Sequence, residues 1–184
     1  MARIPAEVIT TALEGAGSPD HEAFDYTSAV FTQMAQNPHY DALRGYLLEA
    51  ESLQENFEFP YKFAAAISCN VMTHFAASQG SKIDFTQDEI AAHRAIADSI
   101  FDDPRWEDEV WVLNRLASHE GVDADSGIGY FLNLLDQVAP ELAAAVATFT
   151  AHVEPASQRA VFRGFYDGFM PFYTHLAKVS EGSA

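Results

Sequence analysis

Six residues carry most of the chemistry this sequence could offer: Asn70, His74, His93, Tyr166, Asp167 and Tyr173. Asn70 and His74 stand four positions apart, so a helix puts them on one face. Both fall in Phe63–Ala77, a stretch of 15 residues without a charge. A surface helix keeps one polar face, so this stretch predicts a central helix with little solvent exposure on any side. A buried polar group left unpaired costs on the order of 1–3 kcal/mol. Asn70 and His74 therefore either tie this helix to its neighbours or face a pocket and orient a ligand. Histidine titrates near neutrality, which makes His74 the candidate general acid or base.

The second candidate region is Val161–Leu176, aromatic on nearly every side. Pro171 cannot donate a backbone hydrogen bond, so the carbonyl of Asp167 is freed and a bend is expected there. Gly164 and Gly168 are spaced for the close approach of another helix or of a ligand. Tyr166 and Tyr173, seven apart, share a stripe. With Asp167 they would supply polar contacts in the wall of an otherwise apolar pocket, the usual make-up of a ligand site. His93 is the third candidate. It falls between Ile90, Ala97 and Ile100 on the inward stripe of its helix, where a satisfied core histidine is the competing account.

Other chemistries find little support. No Glu-x-x-His pair is present, which removes the usual di-iron bundle signature. Carboxylate and histidine meet at helical spacing in Glu89/His93 and, loosely, in Asp167/His175, whereas a metal site needs several such pairs converging. Thr86 and Glu89 form a capping box, which already occupies Glu89. Asp123–Ile128 has the look of a calcium loop, but its glycine is out of register and no acid closes it. There is no phosphate-binding glycine loop, dinucleotide fingerprint or nucleophile elbow. Cys69 is the only cysteine, which excludes an intrachain disulfide and a cysteine-based zinc site.

Charge narrows the partners. Ten Lys and Arg stand against 27 Asp and Glu, a formal net charge of −17. The basic residues are scattered, so neither nucleic acid nor an anionic membrane surface is an expected partner. A basic protein partner is the counter-expectation. Its anchor would be Trp111, off the inward stripe of Trp106, Val110, Leu113 and Ala117, beside the acidic cluster Asp102, Asp103, Glu107, Asp108 and Glu109. No run of 18 apolar residues occurs, and Met1–Pro5 lacks the apolar core of a signal peptide, so a soluble, cytoplasmic protein is expected.

The elements that must position these residues are helices throughout. Proline sits at one predicted start after another, at Pro5, Pro19, Pro38, Pro60, Pro104, Pro140 and Pro155, where its missing N–H does no harm. Phe24, Phe31 and Met34 point inward from the second helix, and Leu43, Leu47 and Ala50 from the third. Gly80 and Gly121 are stops. No alternating β pattern exceeds four residues. The expected architecture is all-α: one domain over residues 1–184, a compact bundle of eight or nine helices with a buried central helix.

The leading functional expectation is a pocket inside the bundle for a small, largely apolar or aromatic molecule. His74 is the acid/base group, and Asn70, His93, Tyr166, Asp167 and Tyr173 line the site. A non-catalytic acidic interaction module, of inhibitor or immunity type, is the alternative. A metal- or haem-dependent helical oxidase is a third, and no cofactor is specified by any motif.

Overall fold

The computed structural model describes residues 2–14, 21–52, 58–102 and 127–182. Among them are eight α-helices and no strand: α1 (Ala6–Glu14), α2 (His21–Ala35), α3 (Asp41–Ser52), α4 (Glu58–Ser78), α5 (Gln87–Phe101), α6 (Gly127–Val138), α7 (Pro140–His152) and α8 (Pro155–Gly182). A 3₁₀ turn, Pro38–Tyr40, leads into α3, and the Asn37 side chain caps it by accepting from the His39 amide. The chain is an all-α multi-helix bundle with α4 at its centre. The expected helix after Pro104 lies outside the described residues, as do Trp106, Trp111 and Glu107, Asp108 and Glu109.

Local signals set most boundaries. The Thr86 hydroxyl accepts from the Glu89 amide at 3.2 Å, and Glu89 Oε2 accepts from the Thr86 amide at 3.1 Å, so two orphan donors are satisfied at the start of α5. Gly80 ends α4 with φ +63°, and the Ser81 amide folds back onto the Ala76 carbonyl. Pro60 is not the first helical residue, because α4 begins at Glu58. It still sits within the first turn, whose amides have no intrahelical acceptor.

The α4–α8 pair makes the largest interface. Two glycines permit it. A β-carbon on Gly164 would collide with the Tyr61 carbonyl and lie 2.9 Å from the Ala64 β-carbon; one on Gly168 would lie 2.6 Å from the Ala65 carbonyl. The close approach expected at these glycines is therefore that of another helix.

Phe63–Cys69 is buried on every side, as the absence of charge implied. The second half of α4 is not. Asn70 and Thr73 are half-buried, and His74 and Ala77 are exposed, which makes a wet stripe. Lack of charge misled here because Asn, Thr and Ala are tolerated in water, so an uncharged face need not be covered. α8 runs as a helix through Pro171 without interruption. Phe31, Met34, Leu43, Leu47 and Ala50 are all buried as expected. No helix among the described residues is long and apolar enough to cross a membrane.

Candidate functional site

At the centre of the bundle one carboxylate gathers four donors. Asp167 is fully buried. Its Oδ1 accepts from the Tyr46 hydroxyl at 2.8 Å and pairs with His93 Nε2 at 2.9 Å. Its Oδ2 accepts from the Tyr61 hydroxyl at 2.7 Å and from Arg163 Nε at 2.8 Å. Both oxygens are thereby saturated. Arg163 extends the network, with Nη2 donating to the Tyr46 hydroxyl at 2.7 Å and to Asp98 Oδ1 at 2.8 Å. Its guanidinium also lies over the Phe101 ring. Side chains from α3, α4, α5 and α8 converge on this point.

Gly164 and Gly168 explain why the network can exist. They bring the backbone of α8 down onto α4, so Tyr61 on α4 reaches the carboxylate carried between them. Arg163 and Asp167 are one helical turn apart on α8, the spacing at which side chains meet. Burial pushes the Asp167 carboxyl up, but the His93 hydrogen bond and the Arg163 charge outweigh it and hold the group below its ordinary value. Burial, and then the Asp167 charge, push the Tyr46 and Tyr61 phenols up, so both remain hydroxyl donors.

Three cross-pairs run between α5 and α8: Glu89 with His175, His93 with Asp167 and Asp98 with Arg163. Residue number rises along one helix as it falls along the other, so the two are antiparallel. Between them lies a groove of about 110 Å³. Its apolar part comes from Phe85, Ile90, Ile96, Tyr166, Met170 and Pro171; His93 is in its wall, and Glu89, Thr174, His175 and Lys178 form a polar end. The His93 ring stacks on Tyr166 at 5.3 Å and meets the edge of Tyr46 at 5.4 Å. Because Asp167 is an acceptor, His93 Nε2 carries a hydrogen, and in the neutral ring the lone pair falls on Nδ1. Nδ1 has no hydrogen-bond partner among the described residues.

The structure thus brings together three of the six sequence candidates, His93, Tyr166 and Asp167, of which His93 and Tyr166 line the groove while Asp167, expected in its wall, is sealed behind His93 by its four donors. The other three lie elsewhere. His74, the expected acid/base group, is exposed on the wet stripe of α4 and does not line the groove. Asn70 donates to the Ala12 carbonyl at 3.3 Å, which ties α4 to α1. Tyr173 stacks on Phe169 at 5.9 Å, half-buried and outside the groove. The histidine–carboxylate partners also differ from the local spacing. His93 takes Asp167 instead of Glu89, and His175 takes Glu89, with Nδ1 3.4 Å from Oε1.

Sequence reasoning passed over Tyr46, Tyr61, Asp98 and Arg163. A usable signal existed for one of them. Arg163 and Asp167 are the only charges in 161–172, an aromatic run too apolar to be wet, and opposite charges at that spacing imply a buried pair. Nothing local marks Tyr46 or Tyr61. Among the described residues no group of three or more His, Cys, Asp or Glu side chains is placed to hold a metal ion. Compared with protein-family models, curated proteins and solved structures, the chain matches none.

Proposed function

We propose that this chain binds a small, largely apolar or aromatic molecule in the groove between α5 and α8, with His93 as its acid/base group. The observation that supports this reading is His93 in the wall of an apolar groove, with the buried Asp167 carboxylate behind it. A buried carboxylate fixes the tautomer and orientation of the ring and leaves Nδ1 to meet a ligand. Tyr166, stacked on the His93 ring, lines the groove beside it. At about 110 Å³ the groove is smaller than the roughly 150 Å³ cavity that takes up benzene, so it suits a short aliphatic chain or a single ring lying partly outside it. Larger ligands would extend from the open side.

An NMR titration of the ¹⁵N-labelled chain with phenol tests this. Saturable shifts are expected on α5 and α8 around His93 and Tyr166. They should vanish in Ala92→Trp, which fills the groove from an exposed helical position. Shifts that do not saturate, or that survive Ala92→Trp, refute the binding reading.

A further inference from the structure

We infer that the ligand of this groove is a small carboxylic acid, its apolar part against His93 and Tyr166 and its carboxylate at the polar end beside Lys178 and Thr174. The inference rests on the binding reading above and adds the identity of the head group. It follows from which polar atoms at that end are already engaged. Glu89 has no capacity to spare. Its Oε2 serves the Thr86 amide and hydroxyl, and its Oε1 faces both His175 Nδ1 at 3.4 Å and Lys178 Nζ at 3.7 Å. A cationic ligand would have to displace these contacts.

The donors are in the opposite condition. The Lys178 ammonium carries three hydrogens and meets one carboxylate oxygen at the outer limit of an ion pair. Its side chain is 61% exposed, free to swing over the groove. The Thr174 hydroxyl, one turn before it on α8, is exposed and also lines the groove. The donors at this end with hydrogens to spare suit an acceptor with negative charge, which would replace water on them.

Spacing favours an acid with a short linker. Glu89 marks the polar end and His93 the apolar one, four residues apart on α5, a rise of about 6 Å. A two-methylene spacer between ring and carboxylate matches that rise. The formal net charge of −17 works against an acid, because the field of the whole chain repels anions. Any preference for an acid must arise from local donors.

The test compares 3-phenylpropanoate with its neutral amide, 3-phenylpropanamide, by NMR titration of the full chain and of Lys178→Gln. The acid should bind about fivefold tighter than the amide, a factor kept small because Lys178 is exposed. In Lys178→Gln the advantage of the acid over the amide should disappear. Equal affinities in the wild-type chain overturn the head-group assignment and leave the binding reading standing. Acid preference that persists in Lys178→Gln overturns the placement of the carboxylate. Binding of neither probe overturns both the assignment and the reading beneath it.

Discussion

Replacing Asp167 with Asn should destabilise this fold by about 4 kcal/mol, a figure that follows from the geometry of the network. All four groups around the carboxylate approach as donors. An amide keeps one acceptor oxygen and turns the other position into an NH₂. With its NH₂ toward Oδ2's partners it faces the Arg163 donor, and turned the other way it requires the Tyr46 hydroxyl and the His93 tautomer both to reverse. Hydrogen bonds to a charged group, each worth about 1.5–3 kcal/mol, are lost or reduced to neutral ones. Arg163, with 8% of its side chain exposed, is left with Asp98, which is half in solvent, as its remaining anion. Removing one partner of a buried pair costs about 3–5 kcal/mol, in agreement with the bond-by-bond figure. For a chain of this length the melting temperature should fall by roughly 8–16 °C.

Urea unfolding followed by circular dichroism reads the change directly, with the slope against denaturant unchanged. Acidity supplies an internal control. The Asp167 carboxyl titrates below its ordinary value in the folded chain, so its stabilisation is complete above the unfolded value and is lost as pH falls through the folded one. The difference between wild type and Asp167→Asn should be widest above about pH 5 and should close on acidification. A loss under about 1 kcal/mol at pH 7 would refute the reasoning, since that is the range of an exposed pair.

The helix interface makes a sharp contrast among glycines. Gly168→Ala should destabilise by about 1–3 kcal/mol, because the new β-carbon meets the Ala65 carbonyl, which cannot move aside. Gly45→Ala, in α3 with nothing within 4 Å of the added carbon, should instead stabilise by up to about 1 kcal/mol; urea melts of both variants that shift in the same direction contradict the packing argument. His74→Ala should change stability by less than about 0.5 kcal/mol, since the ring is exposed; a larger loss in the same assay means the histidine has a partner after all. Burial pushes the Cys69 thiol up, so iodoacetamide should label it at the rate of global unfolding, as followed by mass spectrometry; fast labelling of the native chain counts against a sealed core at that point.

The helices were largely legible because their causes are local. Thr86 and Glu89 close a capping box with atoms three residues apart, and the inward stripes of α3 and α5 follow from a period of 3.6. Gly80 at a stop and Pro155 at a start act through their own backbone geometry. These effects need no knowledge of the rest of the chain. The candidate site was legible by residue type but not by partner. His93, Tyr166 and Asp167 stood out as polar groups in apolar company, and two of the three sat in the aromatic run that also held Arg163.

Which histidine meets which carboxylate was decided by packing. On one isolated helix His93 has Glu89 for a neighbour, yet it pairs with Asp167, 74 residues away. The exchange follows from the antiparallel approach of α5 and α8 and from the two glycines that set α8 against α4. The same packing determined that Phe63–Cys69 is enclosed while His74, a turn further along the same helix, stands in water. Composition alone could not separate these halves, because burial depends on what lies opposite a face, and that is a property of the assembled bundle.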